Sequence, residues 1–452
     1  MERRMDPAAL ALAERMAPRY TSYPTAPHFS KEIGAAQMRV WLAALSPDAA
    51  LSLYFHVPFC KEICAYCGCH TKALQQDAPL TAYKETLLRE LELTAATTRA
   101  RRVDSIHWGG GTPGILGPAR FAEIAERVGA LFALSPDVEH SIELDPRLLT
   151  AELVRTLAQA GVNRASLGVQ DLNEHVQQAS GRVQPYETVA RAVEMLCDAG
   201  ITAINLDLMY GLPKQSVADV VRTAKLAASL SPWRLAVFGY AHVPWFKTHQ
   251  KLIDAADLPG AAERLAQAAA VRAALEEEGF VAIGLDHFAH PDDPLAIAAR
   301  NGHMRRNFQG YTIDQADALL PFGVSSIGRL PQGFVGNATD LAGWRRAVEA
   351  DEFPVTRGLA FSREDRARGE VIERLMCDFT VDYGDVAEAH GFAIDAFDAA
   401  QTALTDLAAD GVVELSGRRV TVTPRGQPFL RLAAAAFDAY LATAPARHTV
   451  AV

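Results

Sequence analysis

The sequence predicts an α/β protein built on six strand–helix units, closed into an open barrel or laid out as a doubly wound sheet. Three observations predict it. From residue 51 onward, short apolar runs alternate with longer amphipathic stretches. Several of those stretches open on Pro or Ser and end at a glycine, as at Gly161, Gly200 and Gly279. Polar residues also gather just after the apolar runs, where a parallel sheet with right-handed crossovers collects its ligands.

In chain order, strands are expected at 51–59, 105–108, 140–144, 164–169, 203–209 and 234–240. Helices are expected at about 80–98, 118–133, 151–160, 186–199, 216–230 and 260–279. The strand ends are unusually polar. The first runs into four cysteines, and the second into Gly109-Gly110-Gly111-Thr112-Pro113. The third carries Glu143 and Asp145, and the fourth ends in Gln170-Asp171. The fifth carries Asn205, Asp207 and Tyr210-Gly211, and the sixth ends in Tyr240-Ala241-His242. Six such ends on one face make a site by geometry alone.

Residues 1–50 read as an extension. Its short Ala/Leu run is interrupted by Asp6 and Glu14, which suits a surface helix and not a secretion signal. Residues 51–330 would hold the sheet, and the Gly-, Asn- and Pro-rich stretch 280–358 reads as covering loops. Residues 331–452 read as mainly helical, with a winged-helix-like hairpin from 411–415 and 420–422 around Ser416-Gly417.

Composition narrows the function classes. With 452 residues, 49% hydrophobic and 22% charged, the chain is globular and long enough for two domains plus an extension. Its 44 Lys and Arg face 54 Asp and Glu, a net charge of −10, so nucleic acid is not an expected partner. No segment approaches the roughly 18 apolar residues needed to span a bilayer, and a cytoplasmic monomer is expected.

Four of the six cysteines lie between Cys60 and Cys69, which argues for metal; Cys197 and Cys377 read as small buried apolar residues on helices. Cys60, Cys64 and Cys67 place three thiolates on one loop, able to hold three corners of a cubane and leave one iron open. Zinc, with Cys69 as fourth ligand, is the alternative, as in a zinc-stabilised winged-helix regulator. Structural zinc, however, usually draws separated pairs from different elements, whereas these cysteines share one ten-residue stretch. The glycine loop lacks the Gly-Lys-Ser/Thr ending of a phosphate loop, so a nucleotide triphosphatase is not expected.

The spacing Cys60-x-x-x-Cys64-x-x-Cys67, with Tyr66 before the last cysteine, resembles the signature of the radical S-adenosylmethionine superfamily. That resemblance implies a partial, three-quarter (β/α)6 TIM-like barrel, one [4Fe–4S] cluster on the three cysteines, and S-adenosylmethionine cleaved to a 5′-deoxyadenosyl radical. Further motifs resemble one family within it, the oxygen-independent coproporphyrinogen III oxidases. These are residues 20–25 (Tyr-Thr-Ser-Tyr-Pro-Thr), 54–60, Cys67-Gly68-Cys69, 107–113, Asp286-His287-Phe288 and 306–312. The family's reaction is the oxidative decarboxylation of two propionates of coproporphyrinogen III to vinyl groups, giving protoporphyrinogen IX in haem synthesis. An electron donor for the cluster and an unidentified electron acceptor are implied as partners.

Carried over by motif, the resemblance implies two S-adenosylmethionine molecules. Tyr54, Gly110, Glu143 and Ile327 would contact the cluster-bound one. Tyr66, Gly111, Thr112, Gln170, Arg182, Asp207 and Ala241 would contact the second. Cys69, which is not a cluster ligand in the family, is expected to act near the radical, and His56 is a further catalytic candidate. Cys69 also separates the chain from the related haem-chaperone branch, the alternative reading, which usually has an aromatic there. The four substrate carboxylates need cations, for which Arg305 and Arg306 are the candidates.

Overall fold

The computed structural model describes residues 7–441 and Val450. Its six barrel strands are β1 (Leu51–Val57), β2 (Arg102–Gly110), β3 (Ala133–Leu144), β4 (Arg164–Gln170), β5 (Ala203–Tyr210) and β6 (Arg234–Gly239). Each strand pairs parallel with the next. The crossovers carry helices Ala78–Thr97, Gly117–Leu131, Ala151–Gln159, Tyr186–Asp198 and Val217–Ala228, and Ala261–Glu277 follows β6. The expected alternation is present, and the doubly wound alternative gives way to a partial barrel.

The strands alternate with a period of two, which is unusual in a parallel sheet, where both faces are normally apolar. One face presents Leu51, Leu53, Phe55, Val57, Ile106, Trp108, Ile142, Leu144, Leu167 and Leu206 to the helices, all buried in one core. Phe55 stacks between Trp108 and Phe322, at 4.1 and 5.0 Å between ring centroids. The other face carries Tyr54, His56, His107, Ser141, Glu143, Ser166, Asn205 and Asp207. A barrel lined this way is not filled by its own side chains, so the concave face can hold ligands.

The end away from the site is closed by ions. Arg234 grips Asp293 through Nε and an NH2 group at 2.7–3.0 Å, and Arg164 Nε meets Glu139 at 3.1 Å. Asp293 is fully buried and also caps helix Pro294–Arg300. Removing one partner of such a pair costs about 3–5 kcal/mol, because the other charge stays buried.

Stretch 280–358 corrects one expectation, because much of it extends the sheet. It holds β7 (Val281–Ile283), β8 (His287–Ala289), β9 (Arg305–Asn307), β10 (Gly310–Thr312), β11 (Ala318–Phe322), β12 (Ile327–Leu330), β13 (Gly333–Asn337) and β14 (Val355–Ala360). The twelve-stranded order is β14-β13-β12-β11-β1-β2-β3-β4-β5-β6-β8-β7, and β9 pairs with β10 apart from it. β11 lies parallel to β1, whereas the outer strands are antiparallel. Their glycines read as loop punctuation but mark close packing: a Cβ on Gly333 would lie 2.1 Å from Leu359 O. Residues 330 and 331, expected to divide two domains, fall at the turn between β12 and β13.

The extension is more than a surface helix. Leu12 and Ala13 of helix Pro7–Glu14 join Ala17, Tyr20 and Tyr23 in the apolar core of the C-terminal unit, beside Leu375, Phe429 and Phe437. Helix Ala35–Ala43 instead buries Met38, Trp41 and Leu42 in the barrel's core. In the C-terminal unit, helix Arg363–Asp378 starts at a capping box of Ser362 and Asp365. A small antiparallel sheet includes the expected hairpin: β15 (Thr380–Asp382), β16 (Val413–Ser416) and β17 (Arg419–Val422), in the order β15-β17-β16. Among the described residues no helix is long and apolar enough to cross a membrane.

Candidate active site

The cysteine loop leaves β1 at the carboxyl end of the sheet. Cys64 is buried, Cys60 and Cys67 are half-buried, and Cys69 is exposed, its surface belonging to the wall of a cavity. Thr71 Oγ1 donates to the Cys60 sulfur at 3.2 Å and an Arg182 NH group to that of Cys64 at 3.5 Å. Arg182 is itself held by Gly168 O at 2.7 Å and by Asp145, which Arg147 also grips. The loop's backbone is tied from the segment after β6. Lys247 Nζ donates to Cys69 O at 2.8 Å, His249 Nε2 to Cys67 O at 2.7 Å, and Gln250 Nε2 to Tyr66 O at 2.9 Å.

Burial pushes the Cys60 thiol up to about 11, against the Thr71 hydrogen bond. The hydrogen bond shared by Cys67 and Cys69 favours thiolate on Cys67 and keeps the proton on Cys69. Among the described residues no three His, Cys, Asp or Glu side chains converge as a single metal ion requires. Ligands to separate corners of a cluster need no such convergence, and sulfur ligands carrying outer donors are what a cluster takes.

Beside the loop, the glycines at the end of β2 bring backbone against side chains. Gly110 has a φ of +108°, its N–H donates to Glu143 at 3.2 Å, and a Cβ there would strike the His56 ring at 2.8 Å. A Cβ on Gly111 would fall 2.4 Å from Phe59 O, while Thr112 N–H donates to that same oxygen. Burial alone would raise the Glu143 pKa, but the hydrogen bond and charge of His107, 3.2 Å away, together with Gly110 N–H, bring the net shift down. His107 is aligned by Ser141 Oγ at 2.7 Å and stacked on Tyr54.

His56 has both nitrogens engaged. Nε2 lies 2.9 Å from His70 O, which can only accept, so Nε2 carries the proton and Nδ1 accepts from Tyr54 Oη at 3.0 Å. Burial lowers its pKa, which agrees with this neutral tautomer. Further round the concave face, Asp207 accepts from Ser166 at 2.9 Å and from Asn205 at 2.8 Å, and burial raises it to about 6. Arg182 Nε and Asn205 Oδ1 are buried with no partner. A polar ligand in the barrel would satisfy such atoms.

The cavity measures about 1500 Å³ and is lined by Tyr66, Cys67, Cys69, Gln170 and Ala241 among others. Single small-molecule sites occupy about 300–1,000 Å³, so there is room for more than one. Gln170 reaches it from a left-handed backbone, φ +68°, a strained conformation that clusters at functional sites.

A family model described as the radical SAM superfamily matches residues 54–227, and one described as the HemN C-terminal domain matches residues 361–429. An oxygen-independent coproporphyrinogen III oxidase of Bradyrhizobium diazoefficiens is 46% identical, over 98% of this chain and 99% of its own length. The chain belongs to the oxygen-independent coproporphyrinogen III oxidase family. A relative of the same description from Paracoccus denitrificans is 41% identical over 97% of this chain and 98% of its own. The solved coproporphyrinogen III oxidase HemN of Escherichia coli, described as a radical SAM enzyme, superposes with a TM-score of 0.90 at 37% identity, covering 94% and 98% of the two chains. Membership brings a [4Fe–4S] cluster and S-adenosylmethionine as cofactors.

As a member of that family, the chain gathers the residues named from the sequence at one end of the sheet. Tyr66, Cys67, Cys69, Gln170 and Ala241 share the cavity; Tyr54 is hydrogen-bonded to His56 and Gly110 to Glu143; Arg182 meets Cys64. Ile327 opens β12, in the hairpin beside β11. Arg306 lines the cavity, but Arg305 turns away and pairs with Glu373 at 3.0 Å. Cys377 is buried as expected, whereas Cys197 is exposed on its helix. Sequence reading missed Thr71, His107, Ser166, Lys247, His249 and Gln250. For His107 and Ser166 a signal existed, since they share the strand parity of Glu143 and Asp207. For the 247–250 loop there was none, because its contacts are to backbone 178 to 184 residues away.

Proposed function

We propose that the chain catalyses oxygen-independent oxidative decarboxylation of two propionates of coproporphyrinogen III to vinyl groups, giving protoporphyrinogen IX for haem synthesis. One observation carries the reading. Cys67 and Cys69 face a cavity of about 1500 Å³, in a chain 46% identical along its whole length to an oxidase of that description.

Cys60, Cys64 and Cys67 would hold the cluster, which together with S-adenosylmethionine would supply a carbon radical able to take hydrogen from an unactivated carbon. Each propionate loses one hydrogen atom from its β-carbon, its bond to the carboxylate breaks to release carbon dioxide, and one electron passes to an acceptor.

Glu143, Gly110, Tyr54 and Ile327 would bind the cluster-bound S-adenosylmethionine, with the Glu143 carboxylate accepting from its amino or ribose hydroxyl groups. Tyr66, Gly111, Thr112, Gln170, Arg182, Asp207 and Ala241 bind a second molecule, for which the cavity has room. His56, engaged at both nitrogens, positions Tyr54 and the loop end at His70 and exchanges no proton. Cys69, accessible from the cavity and holding its proton, stands beside the reacting propionate.

The chain acts as a monomer in the cytoplasm, where thiols stay reduced, and meets a one-electron donor for the cluster and a separate acceptor. Anaerobic turnover of the reconstituted protein with product identification tests the reading. Divinyl product is expected. Cleavage of S-adenosylmethionine without vinyl product would instead favour a haem-chaperone role or another radical reaction.

A pH dependence follows from Asp207. Its carboxylate is charged above about 6, so the KM for S-adenosylmethionine should rise as the pH falls below that value, and Asp207→Asn should abolish the step. Asp207 itself does not destabilise the fold over that range. A carboxyl whose folded pKa lies above its ordinary 3.8 makes the fold gain stability as the pH falls from about 6 towards 4.

A further inference from the structure

The chain's net charge is −10, yet seven arginines and lysines line the cavity against two carboxylates, Asp286 and Glu276. Both carboxylates are engaged, Asp286 by His287 Nδ1 at 2.7 Å and Glu276 by Arg272 Nε at 3.0 Å. A local reversal of sign this strong selects anions.

Four of the cations come from four distant segments. Arg19 follows the first helix of the extension, Arg264 lies on helix Ala261–Glu277, Arg306 on β9 and Arg431 on helix Leu430–Ala435. Each guanidinium is oriented. Arg19 donates to Gly239 O at 3.1 Å, and Arg431 to Ala17 O at 3.1 Å. Arg306 Nε donates to Tyr20 O at 3.2 Å, and its guanidinium lies 4.3 Å over the Tyr311 ring. Arg264 lies 5.5 Å over the Tyr210 ring. One NH group of Arg306 is buried with no partner.

These charges act on one another. Burial and Arg19 lower the pKa of Arg264, and burial together with Arg19 and Arg306 lowers that of Arg431 to about 10. The side chains beside the cysteine loop are different ones, Lys247 Nζ donating to Cys69 O at 2.8 Å and His249 Nε2 to Cys67 O at 2.7 Å. The cavity thus has a cysteine end and an arginine end. A carboxylate at the arginine end would gain charge-assisted hydrogen bonds and relieve the repulsion among the cations.

We propose that Arg19, Arg264, Arg306 and Arg431 form a wall that binds carboxylates of the tetracarboxylate substrate, holding the propionates that are kept and turning those that react towards Cys67 and Cys69. The inference rests on the function proposed above. It names residues that read the substrate at the end away from the radical, so they are specificity-determining residues and take no part in bond cleavage.

The test is anaerobic equilibrium dialysis of cluster-loaded protein against coproporphyrinogen III, without reductant, with the bound fraction oxidised and measured by fluorescence. Labelled S-adenosylmethionine is dialysed in parallel, because its carboxylate is the other anion the wall could take. Wild type should bind the porphyrinogen, and its tetramethyl ester far more weakly. The pair Arg19→Gln with Arg264→Gln, at an exposed and a half-buried position, should bind the tetra-acid about 100-fold more weakly, about tenfold per guanidinium. Its iron content and S-adenosylmethionine stoichiometry should stay unchanged. Arg431→Gln should weaken binding about tenfold and Arg431→Lys should recover most of the affinity, which separates lost charge from lost packing. Unchanged porphyrinogen binding in the glutamine variants, or loss of S-adenosylmethionine instead, overturns the wall. A wild type that binds no porphyrinogen overturns the proposed function itself.

Discussion

Cys64→Ser should abolish the cluster and the reaction together. Cys64 is the buried member of the loop, packed with Ala65, Tyr66, Val176 and Leu212, and it takes a hydrogen bond from Arg182. A serine oxygen there is a harder and less readily ionised ligand, and no spare thiol can replace it without moving the loop. Removing an outer hydrogen-bonding partner of a metal ligand already costs about 10–100-fold, so loss of the ligand itself should exceed about 100-fold in turnover. Iron and sulfide, about four of each per chain in reconstituted wild type, should fall to trace amounts by elemental analysis. A variant with full iron and retained turnover would show that other residues, Cys69 first among them, hold the cluster.

Glu143→Gln separates the cofactor from the cluster. The carboxylate is fixed by Gly110 N–H and His107, and its net pKa shift is downward, so it is charged at neutral pH. The amide keeps the shape but loses the charge that strengthens hydrogen bonds from the cofactor's amino or ribose hydroxyl groups. Hydrogen bonds to charged groups contribute about 1.5–3 kcal/mol each, so affinity for S-adenosylmethionine should fall about 10- to 100-fold. Turnover should fall with it and partly recover at high S-adenosylmethionine, while the iron content stays that of wild type. Equilibrium dialysis with labelled cofactor decides the matter, and unchanged affinity would remove Glu143 from the binding set.

Much of this was legible in the chain, and what was not has identifiable physical causes. The six strand–helix units announced themselves through strand parity, complete in Leu51-Leu53-Phe55-Val57, and through glycines just after several helices, as at Gly161, Gly200 and Gly279. The site was legible where chemistry is local. The cysteine loop, the glycine run and the carboxylates at strand ends need no long-range contact to be recognised. The outer strands were hidden because Gly328, Gly333 and Gly336 give them loop-like composition, although the neighbouring backbone demands glycine at Gly333. Arg305 and Arg306 were indistinguishable as neighbours in sequence. Only strand alternation, which puts one towards Glu373 and the other over Tyr311, separates them. Arg19, Arg264 and Arg431 carry no motif at all and meet only through the fold.

The packing of the extension into the C-terminal core has a consequence for how the molecule is made. Tyr20 Oη bonds Asp438 at 3.0 Å, which closes a loop of 418 residues. A ribosome delivers the cysteine loop long before the partners of Tyr20 and Tyr23, Asp438 and Ala439. Through most of translation the barrel's mouth therefore lacks the wall built from both termini. The cavity gains that side only once Phe429, Leu430 and Phe437 pack on Ala17, Tyr20 and Tyr23.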